Sequence, residues 1–210
     1  IIKGKDLPAE RNLDWLPPPA RNLVDMEKYS LKINGEKATP LMTSFGCPWH
    51  CSFCSEPILN NKFKAYSPDR VVEEMKELKE HYGIKGVIIY DDVYSIDSKR
   101  AIAIADLMIK EKLNLFYRVT TRATDFLRYP ALADKLAESN CVEVCIGLES
   151  GDDEILTMND KGMNTAANRQ AIKIIQGAGM KALTYMITGL PGVSRESEEK
   201  SFQFIQDTNP

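Results

Sequence analysis

Long apolar runs are missing from this chain of 210 residues. No stretch approaches the ~20 residues needed to span a bilayer. The N-terminus, IIKGKDLPAERNLDWLPPPARNL, carries charges and prolines throughout and does not read as a signal peptide. An excess of one charge is also lacking. With 27 Lys and Arg against 30 Asp and Glu, the net charge of −3 leaves no basic footprint for nucleic acid or an anionic membrane. Low-complexity tracts and solenoid repeats are absent too. Cysteine is scarce: there are five, an odd number. Three of them crowd one loop, which favours metal ligation in a reducing compartment over a disulfide framework. The expectation is a cytoplasmic protein that meets no membrane. A chain this long, 43% hydrophobic and 27% charged, can bury a core without disulfides.

Residues 1–37 differ from the rest. The stretch LPPPA (Leu16 to Ala20) fixes torsions and withholds amide donors, so it is expected to be extended. Asn34-Gly35 marks a hairpin between short alternating segments. This part reads as a lead-in with a small ribbon laid against the core, following a further domain. From residue 38 to 210, apolar runs alternate with amphipathic stretches. PLMTSFG, KGVIIYDD, NLFYRVTTRA, CVEVCIGLES and KALTYMITGLPG are the predicted strands. Helices are predicted over SPDRVVEEMKELKEHYG, SKRAIAIADLMIKEKL and YPALADKLAES, from about Thr165 to Gln176, and over SRESEEKSFQFIQDT. Such alternation predicts an α/β fold with a parallel sheet. Eight units would need more chain, so the expectation is a partial (βα)-barrel of five to six units or an open doubly wound sheet. Ending at DTNP, straight after a helix, reads as a C-terminal truncation.

Polar residues gather at the predicted strand ends. Asp91-Asp92 follow the second strand, Arg122 the third, Glu149-Ser150 the fourth, and the run from Thr188 to Gly192 the fifth. The cysteine loop follows the first. In parallel barrels and open α/β sheets, sites form along that edge. The loop reads SFGCPWHCSFCSEP, with Cys47, Cys51 and Cys54 in a CxxxCxxC spacing. Thiolates bind soft or borderline metals, so zinc and an iron–sulfur cluster are the choices. Structural zinc takes four closed ligands, and no second CxxC knuckle is present. His50 adjoins Cys51 and is poorly placed to reach the same ion. Three cysteines instead suit a cubane whose fourth iron is left open. Three unrelated buried cysteines in an exposed Gly/Pro loop is the weakest reading.

CxxxCxxC with an aromatic residue before the last cysteine, at the end of the first of repeated βα units, resembles the radical SAM superfamily. The resemblance runs from about residue 38 and implies a radical SAM core. It implies that Cys47, Cys51 and Cys54 ligate a 4Fe-4S cluster and that S-adenosylmethionine binds the open iron. One electron, from a reductant such as flavodoxin or ferredoxin, then cleaves it to methionine and a 5′-deoxyadenosyl radical that abstracts hydrogen. IIYDDVYSIDSKR, CIGLESGDDEILTMNDKG and MITGLPG resemble the subgroup holding cobalamin-dependent enzymes and methylthiotransferase-like proteins. LDWLPPPARNLVDMEKY resembles the linker after a cobalamin-binding domain, although no DxHxxG signature occurs in these residues. Methyl transfer is the first expectation. Methylthiolation, cyclisation or ring rearrangement on an unknown substrate is the alternative, and a non-catalytic iron–sulfur regulatory or electron-transfer module is another.

The resemblance also implies S-adenosylmethionine contacts. Phe53 would lie near adenine, and one of Asp91 and Asp92 would hold the amino group, the plainer reading being a helix cap or acidic turn. Glu149 and Ser150 would bond the ribose hydroxyls, unless Glu149 is a buried acid paired with Arg122. Lys161 or Arg122 would meet the carboxylate. The backbone of Gly189, Leu190 and Pro191 would cover adenine. Cys141 and Cys145, four apart on a strand, are expected to share a face as core filler more readily than as a second metal site. Asp152-Asp153-Glu154 reads as a solvated helix start.

Overall fold

The computed structural model describes residues 12–56 and 62–210. Its eight strands are β1 (Lys32–Ile33), β2 (Glu36–Leu41), β3 (Ser44–Phe45), β4 (Lys64–Ala65), β5 (Gly86–Ile89), β6 (Phe116–Thr121), β7 (Cys141–Glu149) and β8 (Lys181–Met186). The α-helices are α1 (Pro68–Tyr82), α2 (Ser98–Lys110), α3 (Ala123–Arg128), α4 (Ala131–Glu138), α5 (Asp153–Met158), α6 (Thr165–Gly177) and α7 (Arg195–Thr208). Among the described residues, no helix is long and apolar enough to cross a membrane.

The main sheet has the order β1-β2-β5-β6-β7-β8. Only the β1–β2 pair is antiparallel; every later neighbour runs parallel. Strand order follows chain order, with helices as crossovers. A doubly wound sheet needs a reversal in strand order, and none occurs here. The sheet is therefore a curled half-barrel, the partial (βα)-barrel of the sequence reading.

Local chemistry explains the pieces. Asn34 and Gly35 both take positive φ, 50° and 80°, as a tight two-residue hairpin turn demands. The hairpin is part of the main sheet and not a separate ribbon, because β2 pairs onward with β5 from Ala38 to Leu41. In α1, Val71, Val72, Met75 and Leu78 are buried, as their helical spacing predicts. Ser67 caps its start by accepting from Arg70 N, and Gly83 in the left-handed region ends it. One continuous core joins the helices to a single sheet face, with Val87, Ile89, Tyr117, Val119, Val144 and Ile146 contributed by the strands. Each such side chain contributes about 1.5–3 kcal/mol by leaving water. On the opposite face, Ile33, Ala38 and Ile88 form a smaller cluster with Phe116 and Val142. Thus β5 is buried on both faces.

Three local expectations change. The predicted first strand, PLMTSFG, is divided. β2 ends at Leu41, and Ser44–Phe45 turns away to pair antiparallel with β4. Cys141 and Cys145 do not share a face. The register shifts between Tyr117 and Arg118, so Cys141 joins Val144 and Ile146 in the helix-side core. Cys145 instead lies against Tyr185, Thr120 and Arg118. The helix start expected at Asp152-Asp153-Glu154 is there, but Asp152, which accepts from Glu154 N as its cap, is buried and paired with Lys200 at 2.9 Å, not solvated.

Candidate functional site

The cysteine loop leaves the C-terminal edge of the sheet just after β3, and one buried and one half-buried carboxylate hold its entry. Asp91, at the end of β5, accepts from Thr43 N at 2.6 Å, Thr43 Oγ1 at 2.5 Å and Ser44 Oγ at 2.6 Å. Burial pushes its carboxyl above the ordinary value while these donors pull it down. Asp92 accepts from Gly46 N at 2.7 Å, one residue before Cys47. From below, Arg100 on α2 donates to the carbonyls of Thr43 and Tyr66, each at 2.8 Å. Both oxygens of Asp91 are thus engaged by the loop, whereas Asp92 is engaged through Oδ2 alone among the described residues.

Cys51 is buried, and Cys47 and Cys54 are half-buried. Burial pushes the Cys47 thiol up. Two polar hydrogens face the sulfurs: Glu56 N lies 3.4 Å from Cys54 Sγ, and Arg122 Nη1 lies 3.8 Å from Cys51 Sγ. Among the described residues, no three His, Cys, Asp or Glu side chains converge on one point as a single metal ion would require. A cubane instead spreads its three protein ligands over separate iron corners. An all-thiol donor set with donated hydrogen bonds suits such a cluster.

The other strand-end loops close on this one. Glu149 ends β7 where the register shifts, and its φ of 67° turns the side chain back across Gly147. Its Oε1 meets Lys161 Nζ at 2.7 Å, with both side chains buried. Lys161, just beyond α5, also lies 5.9 Å from the Phe53 ring. Arg122 is buried; it stacks on Trp49 at 4.3 Å and donates to the Lys161 carbonyl at 2.6 Å. The partner of Glu149 is therefore Lys161 and not Arg122. Ser150 turns the other way, toward Ser201 on α7 at 3.3 Å and Asp152 N at 3.1 Å. Gly189 takes φ 76° and its N–H donates to Glu198; Leu190 is buried. The Pro191 carbonyl accepts from Asn159 Nδ2 at 3.1 Å.

Sequence reading passed over several of these partners. Asn159 is the clearest: it receives Ser52 N on its carbonyl and Ser52 Oγ on its side chain, both at 3.2 Å, so it joins the cysteine loop to the Pro191 turn. Its only sequence signal was its place two residues before Lys161. Trp49, within the cysteine loop, faces Arg122 with its aromatic ring. Glu56 was also passed over; burial and the nearby Asp92 push its carboxyl above the ordinary value.

Residues 41–205 match the model of the radical SAM superfamily. The chain belongs to that superfamily. Membership implies a 4Fe-4S cluster and S-adenosylmethionine as cofactors. An uncharacterized methyltransferase of Pyrococcus horikoshii is 34% identical over 200 residues, 95% of this chain and 43% of that protein. An anaerobic magnesium-protoporphyrin IX monomethyl ester cyclase of Rubrivivax gelatinosus is 28% identical over 204 residues, 97% of this chain and 36% of the other. This radical SAM chain thus spans less than half the length of these curated relatives. Among solved structures, the radical S-adenosylmethionine methyltransferase TsrM of Kitasatospora setae, with tryptophan and aza-SAM bound, superposes with a TM-score of 0.75 at 19% identity. The match covers 83% of this chain and 34% of TsrM, and it shows the shared fold.

Proposed function

We propose that this chain is the radical-generating core of a cobalamin-dependent methyltransferase. The observation that carries the reading is the meeting of Cys47, Cys51 and Cys54 with Arg122, Lys161–Glu149 and the Pro191 turn on one edge of a parallel half-barrel. A cluster held by the three cysteines, when bound, supplies the electron that cleaves S-adenosylmethionine. The chain's own residues bind and orient. Asp92 keeps one carboxylate oxygen for the ligand's ammonium, while Asp91 positions the loop. Glu149 accepts Lys161 on Oε1 and offers Oε2 to a ribose hydroxyl. Lys161 faces the ligand carboxylate. Phe53 and the backbone of Gly189, Leu190 and Pro191 flank adenine. Ser150 holds the end of β7 against α7.

Methyl transfer is favoured because the Pyrococcus relative and TsrM are both named methyltransferases. The relative named a cyclase supports cyclisation as the second reading. In this account residues 1–37 are the lead-in from a cobalamin-binding domain, and residues 38–210 are the radical SAM core. The electron comes from a flavodoxin or ferredoxin in the reducing cytoplasm, no membrane takes part, and the charge balance gives no indication of nucleic acid.

The test is anaerobic cluster reconstitution of the full-length protein, reduction, and addition of S-adenosylmethionine. Formation of 5′-deoxyadenosine, abolished by Cys54→Ala, is expected. Equal yield from that variant at full iron content would refute the ligand assignment.

A further inference from the structure

Arg122 is an anomaly by the usual rules for buried charge. It is 5% exposed, and no carboxylate of the described residues lies within ion-pair distance of its guanidinium. Its Nη2 is satisfied by a neutral acceptor, the Lys161 carbonyl, and its Nε is buried without a partner among the described residues. A buried cation without a counter-ion costs several kcal/mol. Two counter-charges act on it: the Asp125 carboxylate, beyond ion-pair distance, and the thiolate set, at which Nη1 points from 3.8 Å to Cys51 Sγ. Trp49, two residues from Cys51, faces the guanidinium, with Arg122 Cζ 4.3 Å from its ring centroid. Planar stacking of this kind suits Arg and is lost with Lys.

We propose that Arg122 is a positioning residue that tunes the cluster's reduction potential, with Trp49 as the platform that aims it. The inference rests on the reading of Cys47, Cys51 and Cys54 as cluster ligands. Reduction adds one negative charge to a site already made of thiolates. A fixed cation and an N–H donated to a ligand sulfur both favour that reduced form. Arg122 therefore makes the cluster easier to reduce before S-adenosylmethionine arrives. This differs from a contact to the ligand carboxylate, which acts only once the ligand is bound.

The test is a redox titration of the reconstituted full-length protein with dithionite, followed by electron paramagnetic resonance without S-adenosylmethionine. Iron and sulfide are counted on every sample. Compared are the wild type, Arg122→Gln, Arg122→Lys and Trp49→Leu. At the wild-type midpoint, Arg122→Gln is expected to hold about tenfold less reduced relative to oxidised cluster, a shift of ~59 mV to lower potential for a one-electron couple. Arg122→Lys and Trp49→Leu are expected to shift the same way by less, because each keeps the charge and loses the aim. If Arg122→Gln takes up no cluster, the other two variants decide, and a wild-type midpoint in both overturns the proposal. Full iron content with an unchanged midpoint in Arg122→Gln overturns it as well. So does a change seen only after S-adenosylmethionine is added, which would make Arg122 a ligand contact. A wild-type protein that takes up no cluster refutes the cysteine-loop reading itself.

Discussion

Glu149 and Lys161 face each other at 2.7 Å in a buried ion pair, and Gly147 makes room for it. A Cβ on residue 147 would stand 2.3 Å from Glu149 Oε1 and 3.0 Å from Lys161 Nζ. Gly147→Ala is therefore expected to push the pair apart and destabilise by about 1–3 kcal/mol. Removing one charge leaves the other buried and unpaired, so Lys161→Met should cost about 3–5 kcal/mol. The double variant Glu149→Gln/Lys161→Met should cost far less than the two single changes summed. Urea unfolding of the wild type, Glu149→Gln, Lys161→Met and the double variant measures this, and additive losses would show that the pair is not coupled.

Asp91 holds the entry to the cysteine loop by accepting three hydrogen bonds. Asp91→Ala leaves Thr43 N, Thr43 Oγ1 and Ser44 Oγ without their acceptor. A destabilisation of about 1–3 kcal/mol is expected, together with lower iron content after reconstitution. Asp92→Asn keeps an acceptor for Gly46 N and should retain its iron. Its loss should appear instead as weaker S-adenosylmethionine binding by equilibrium dialysis. Equal iron loss in both variants would contradict this division of labour.

Asn159 links Ser52 to the Pro191 carbonyl. Asn159→Ala keeps the backbone bond from Ser52 N but frees the turn. The global unfolding midpoint should move little, while amide exchange accelerates locally in the Ser52 and Pro191 segments. Uniform acceleration across the sheet would instead mark Asn159 as part of the common core.

Lys200 donates to Asp152, and this bond holds the Asp152 carboxyl below its ordinary value. A depressed folded value adds stability that is present above the unfolded carboxyl's range, near ~3.9, and is lost as pH falls through the folded value. Lys200→Met should therefore lower the melting temperature at pH 7. The gap to wild type should close as the pH drops below ~3.9. A gap that stays constant down to pH 2 would show that the methylene stem, and not the charge, matters.

The half-barrel and the loops along its edge were legible because they rest on short-range signals. GVIIY is apolar at every position, α1 carries its buried residues at helical spacing, and Asn34-Gly35 specifies its own turn. Which side chains meet was much less legible. Glu149 had two candidate cations, Arg122 and Lys161, and only the positive φ at Glu149 decides for Lys161. The bulge at the start of β7 moves Cys141 to the helix side, and no residue type there announces it. Asp91 and Asp92 look interchangeable in sequence, yet one takes Thr43 and Ser44 on both its oxygens and the other takes Gly46 N on a single oxygen. Asn159 was invisible for a simpler reason: a linking amide has no spacing of its own.

Every ligand role assigned to this edge depends on Cys47, Cys51 and Cys54 holding a cluster with one iron open to S-adenosylmethionine. The most direct measurement is electron paramagnetic resonance of the anaerobically reconstituted, reduced full-length protein before and after the ligand is added. The account predicts about four iron atoms per chain, as a single 4Fe-4S cluster requires, and a signal that changes shape on addition. It predicts loss of that signal in Cys47→Ala, Cys51→Ala and Cys54→Ala alike. A full cluster whose signal is indifferent to S-adenosylmethionine would contradict it and point to a closed, four-ligand centre.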